Sequence, residues 1–200
     1  PLAAKYPSLS SYNFVDNSPV LFIDPDGAKI WINDPNSDEP ILYVPNSTQT
    51  NENYSDFVTQ TAATLDKISA SGMDDKFQIV ETLAYDNSTS TIYEVEWDEH
   101  IGAVEGKIVW SPEGGIVTDE GDRQTPALGL LHELAHTFYE EYDPTGEVKN
   151  RPSITDIEAY MEYDEQQKEA AGEYDGPDDK WIIQEVEGAS GEAVRKAHSH

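Results

Sequence analysis

One short stretch constrains this chain more than any other: Leu130-Leu131-His132-Glu133-Leu134-Ala135-His136-Thr137-Phe138. The chain has five histidines, and two of them stand four apart here, with a glutamate directly after the first. Thr125-Pro126 opens a helix over this stretch, because Thr is a favoured N-cap and Pro a favoured first helical residue. Leu130, Leu131, Leu134 and Phe138 give the helix one apolar stripe, and Asp143-Pro144-Thr145-Gly146 ends it. Residues i and i+4 of a helix lie on one face, one turn apart. His132 and His136 can therefore offer imidazole nitrogens to a single ion. Glu133 is rotated from His132 by about 100 degrees, which puts it beside that ion rather than on it.

Any such site has to be built without sulfur, because the chain contains no cysteine. His, Asp and Glu are the available ligands, and no disulfide staples the fold. Two hundred residues make one domain, or one domain with a short appendage, and can bury a real core. Forty Asp and Glu face twelve Lys and Arg, a formal net charge of −28. That surface repels phosphate backbones and anionic lipid, so nucleic acid is not expected as a partner. No apolar run approaches the roughly 18 residues of a membrane span, so membrane insertion is not expected either. No signal peptide with a basic flank is read. The chain starts at Pro1, and we expect a processed product or a piece of a longer protein.

Residues 1–27 are turn-rich and end in Asp24-Pro25-Asp26-Gly27, a strong turn signal. Residues 28–33 and 41–44 read as short strands, split by a polar loop. Residues 54–71 place Phe57, Ala62, Leu65 and Ile68 at helical spacing. Residues 76–84 and 89–97 alternate, as the two strands of a hairpin would, and residues 106–110 read as another strand. After the motif helix, a helix is predicted over 155–171, a helix or strand near 180–187 and a short helix near 191–197. This order predicts an α+β domain over residues 28–200: a small, mostly antiparallel sheet packed on helices that include the motif helix. It is the layout of a small zincin-like domain, with the strand at 106–110 expected at the sheet edge, where a substrate backbone can pair with it.

The His-Glu-x-x-His pattern is the zinc site of metallopeptidases. Zinc lowers the pKa of a bound water to about 7 and polarises a carbonyl, and Glu133 is placed to act as the general base. One zinc ion is expected, with His132 and His136 as two of its three protein ligands. A short-spaced third histidine is absent, so the third ligand should be a carboxylate. Glu158 follows His136 by 22 residues, and its setting resembles the glutamate-bearing helix of gluzincins. Thr155 and Glu158 also fit a capping box, in which Glu158 serves the backbone. Ser153 and Asp156 offer an alternative cap that frees Glu158. Asp143 is a further possibility, but its surroundings lack the Gly-Thr context of aspzincins. Tyr139 and Tyr160 are possible oxyanion donors.

Two resemblances add a setting. The tail Trp181-Ile182-Ile183-Gln184-Glu185-Val186-Glu187, with Gly191, Arg195 and His198, is similar to the C-terminal segment of HExxH effector peptidases of bacterial toxins. That similarity makes Glu187 a competitor of Glu158 for the metal. It also implies that Arg195 or His198 steadies the oxyanion, although Arg195 fits a surface ion pair with Glu192 or Glu187 equally well. The start, with Tyr6-Pro7-Ser8-Leu9-Ser10-Ser11-Tyr12-Asn13-Phe14-Val15, Asn17-Ser18-Pro19-Val20 and the closing Ile23-Asp24-Pro25-Asp26-Gly27, resembles the end of an RHS repeat-associated core domain. In that family a large β-cage precedes a variable toxin, and an aspartate commonly precedes a Pro-Leu-Ala start. The resemblance implies that residues 1–27 end the RHS core and residues 28–200 are a zinc metallopeptidase toxin. Such a toxin is secreted or delivered by a bacterial secretion system into a competing or host cell, and cuts a protein substrate there. Its partners are the parent RHS cage and a cognate immunity protein. The alternative is a zinc-containing binding or self-processing module of an RHS protein, without a foreign proteolytic target.

Overall fold

A computed structural model describes residues 29–47, 51–85, 89–95, 102–104, 106–115, 123–146, 148–150, 157–172 and 177–192. The turn-rich arm at 1–27 and the helix expected at 191–197, beyond Glu192, lie outside these residues. The elements run β1 (Lys29–Ile32), β2 (Ile41–Leu42), α1 (Asp56–Ala70), α2 (Ile79–Tyr85), β3 (Thr89–Glu94), β4 (Gly102–Val104), β5 (Lys107–Trp110), α3 (Pro126–Tyr142), a 3-10 turn (Val148–Asn150), α4 (Ile157–Ala171) and α5 (Pro177–Trp181). A π-helical turn (Ile182–Glu187) and a last helical turn, α6 (Gly188–Ser190), follow α5 directly.

The class is α+β, and the described residues hold a five-stranded sheet in the order β2-β1-β3-β5-β4. The expected antiparallel bias is corrected at the centre of the sheet. β1 pairs with β3, and β3 with β5, in parallel, while β2 and β4 flank them antiparallel. Two sequence readings explain the difference. Residues 79–85 form a helix instead of a strand, so β3 has no hairpin partner upstream. Ile79, Val80, Leu83 and Ala84 are buried on one helical face, and the Asp74 carboxylate accepts the free N–H groups of Ile79 and Val80 at 2.8 and 2.9 Å. The strand at 107–110 is also not an edge: it lies between β3 and β4, and β4 is the outer strand on that side among the described residues. Gly106 makes the β4–β5 turn possible, since its φ is +74° and a Cβ there would lie 2.5 Å from the Thr89 carbonyl oxygen.

Alternation along the strands buries one face of the sheet, through Ile30, Ile32, Ile92, Ile108 and Trp110. Phe57, Leu65 and Ile68 of α1 share this core with α2 and with Leu128, Leu131, Leu134 and Ala135 of α3. The result is a sheet covered by helices on its apolar side. The motif helix is fixed in the middle of that layer.

Candidate metal centre

α3 begins as its sequence predicts. Thr125 is the N-cap, with its hydroxyl accepting the Leu128 N–H at 3.3 Å, and Pro126 occupies the first turn. The helix ends at Asp143, which adopts the left-handed conformation at φ 47°. The Asp143 carboxylate accepts the backbone N–H groups of Val148 and Lys149, both at 2.9 Å, so it is engaged in shaping the turn. The Tyr139 hydroxyl meets Thr145 Oγ1 at 2.8 Å. The leucine stripe sinks His132 to complete burial, buries Glu133, and leaves the His136 side chain 20% exposed. The face therefore opens at its His136 end.

The groups around the two histidines come from the segment 177–192. Asp178 Oδ2 lies 3.1 Å from His136 Nδ1, and Glu187 Oε1 lies 2.9 Å from His132 Nδ1. Each imidazole thus presents Nε2 to the space between them, where the two Nε2 atoms are 3.2 Å apart. Asp179 Oδ1 faces both, at 3.8 Å from His132 Nε2 and 3.7 Å from His136 Nε2. Burial opposes charge on His136 and Asp178. Their mutual hydrogen bond, with the nearby carboxylates of Glu133 and Asp179, outweighs it, raising the His136 pKa above its ordinary value. The bond to His136 likewise holds Asp178 below the usual carboxylate range.

Local structure explains how one segment supplies all three acids. Pro177 opens α5 and places Asp178 and Asp179 in its first turn, while Trp181 anchors the turn to α3. The Trp181 ring stacks on Phe138, with centroids 6.2 Å apart and planes 7° apart, and also meets Phe77 and Tyr139. In an uninterrupted α-helix Glu187 would be rotated about 80 degrees from Asp179. The π turn over Ile182–Glu187, with its wider i to i+5 bonding, brings Glu187 back towards the motif helix.

His132, His136 and Asp179 form a buried group that can hold a metal ion. Two tests support the fit. A carboxylate at each Nδ1 calls for a donor there, so in the neutral rings two lone-pair nitrogens face each other at 3.2 Å, an arrangement relieved by a cation between them or by a proton on His136, whose pKa is raised. The three atoms also define a triangle whose centre is about 2.1 Å from each, the length of zinc bonds to His nitrogen and carboxylate oxygen.

Of the residues singled out from sequence, His132, Glu133 and His136 stand together on α3. Glu187 reaches the site behind His132, at Nδ1, and its second oxygen accepts from Gln124 Nε2 at 2.7 Å. Glu158 is the second residue of α4, and its side chain, like that of Tyr160, lies outside what is described. Arg195 and His198 lie beyond the described residues. Asp178, Asp179 and Gln124 are absent from the sequence reading. The only local signal for the aspartates is Pro177-Asp178-Asp179, which reads as an acidic first turn serving the helix dipole.

Comparison of the chain with protein-family models, with curated proteins and with solved structures finds no match to any of them.

Proposed function

We propose that the chain is a zinc metallopeptidase, with His132, His136 and Asp179 as the protein ligands and Glu133 as general base. The observation that carries this reading is the triangle of two Nε2 atoms and Asp179 Oδ1, sized for zinc, on a helix that also bears Glu133. A zinc ion held there supplies Lewis acidity towards a peptide carbonyl and acidifies a water. Glu133 takes the proton from the attacking water and passes it to the leaving amine. Asp178 and Glu187 each accept from an Nδ1–H, which fixes the tautomer and the ring orientation of the two histidines. In this reading Asp179 replaces Glu158 and Glu187 as the third ligand, and Glu187 orients His132. Arg195 and His198 are retained as candidates for steadying the oxyanion.

The zincin-like fold and the setting belong to the same proposal. The layer of helices over one sheet face suits a small zincin, and the outer strand β4 takes the edge position first given to residues 107–110. The similarity of residues 1–27 to the end of an RHS core supports a toxin domain delivered into another cell, blocked in its producer by an immunity protein. The test is a pair of assays on purified protein and on cells. Glu133→Gln should retain one zinc per chain while peptide cleavage and toxicity are lost. Full toxicity in that variant would rule out the peptidase mechanism.

A further inference from the structure

The geometry points to Gln124 as a positioning residue that sets metal affinity through Glu187 and His132. The inference rests on the metal reading of the site. Gln124 lies outside the motif, one residue before the N-cap of α3, and is 2% exposed. Its Nε2 donates to Glu187 Oε2 at 2.7 Å, and Glu187 Oε1 accepts from His132 Nδ1 at 2.9 Å. Glu187 and His132 are themselves wholly buried. The chain has a single consistent polarity: amide donor, carboxylate acceptor at both oxygens, imidazole N–H donor. That polarity holds His132 with Nε2 towards Asp179 and His136. The same junction is tied a second time, because Glu192 accepts from the Thr125 N–H at 2.8 Å and from its hydroxyl at 2.7 Å. The segment that carries Asp179 is thus registered against the start of α3 at 124–125. Gln124 reaches the metal triangle by way of Glu187 and His132, so its effect passes through another residue.

The experiment measures zinc affinity by chelator competition, together with the visible absorption of the cobalt-loaded protein, for the full chain and five variants. Gln124→Ala, Gln124→Glu and Glu187→Gln should each bind zinc about 10- to 100-fold more weakly, the usual range for outer-shell partners, and should shift the cobalt bands. The reciprocal pair Gln124→Glu with Glu187→Gln restores the order of donors and acceptors with the charge moved one residue away. It should bind zinc more tightly than either of its single variants. Tyr43→Phe, which removes a hydrogen bond to Asp66 elsewhere in the fold, serves as a control for general loss of stability and should leave both readouts unchanged. Wild-type affinity and spectrum in Gln124→Ala would overturn the inference, even with a lowered melting temperature. So would a reciprocal pair no better than its singles, which decides the matter if Gln124→Ala fails to fold. A wild-type chain that binds no zinc would instead overturn the metal reading beneath it.

Discussion

In the proposed metallopeptidase, Asp179 and Glu133 separate binding from chemistry at this site. Asp179→Ala should lose tight zinc binding, because it takes away one of three ligands, whereas Glu133→Gln should keep the ion and lose about 10²- to 10⁴-fold in cleavage rate, the range typical of a removed general base. Zinc titration alongside a peptide-cleavage assay reads both. A different residue governs an acid-dependent part of stability. Burial pushes the Asp74 carboxyl up to about 6, despite the lowering effect of the N–H groups of Val80 and Ile79 that it caps. The native state therefore holds this proton more tightly than the unfolded chain. By linkage, the contribution is fully present below about pH 4 and is lost as pH rises through about 6, an effect on the order of 3 kcal/mol. Urea melts of wild type and Asp74→Asn at several pH values test it. The stability of wild type relative to the variant should fall between pH 4 and 7, and a constant difference would contradict the assignment.

At the scale of elements, α3 and the segment 177–192 depend on each other. Thr125 caps α3 and also holds Glu192, so Thr125→Ala should cost about 1 kcal/mol, typical of a lost N-cap. Trp181→Ala should cost more, about 3–5 kcal/mol as for a buried aromatic, and should weaken zinc binding because Asp179 lies two residues away on the same turn. Thermal melts with and without zinc separate the two effects. The elements also show what sequence can carry. α3 is legible to its last residue because its signals are local: a capping threonine, a proline at the first turn, a leucine stripe and an Asp-Pro-Thr-Gly stop. The run at 79–85 is ambiguous because a short apolar stretch fits either period, and the deciding contact, the Asp74 cap, spans a turn. Strand order is invisible for a deeper reason, since parallel pairing joins residues far apart in sequence. Asp179 is hidden in the same way: its place beside the two histidines exists only once a π turn and Trp181 dock its helix against α3. Glu187 is legible as a residue of interest, yet its place behind His132 depends on that docking too.

For the whole molecule, charge is one lever and, in the proposed metal site, zinc would be the other. A net charge of −28 repels itself in the compact state. Added salt, which shortens the Debye length from about 30 Å at 0.01 M to about 3 Å at 1 M, should therefore raise the melting temperature, and a fall would count against a strained anionic surface. Zinc at a thousand times its dissociation constant should add about 4 kcal/mol of stability to the native state, and chelation should remove it. Four carboxylates, from Glu133, Asp178, Asp179 and Glu187, stand around two imidazoles, so a divalent cation held there would be an electrostatic component of this fold as well as a reagent. The most direct measurement is an anomalous-diffraction structure of the zinc-loaded chain. The account predicts one ion within about 2.0–2.2 Å of His132 Nε2, His136 Nε2 and an Asp179 oxygen, with Glu187 remaining on His132 Nδ1. An ion ligated by Glu158 or Glu187 in place of Asp179, or no ion between the histidines, would contradict it.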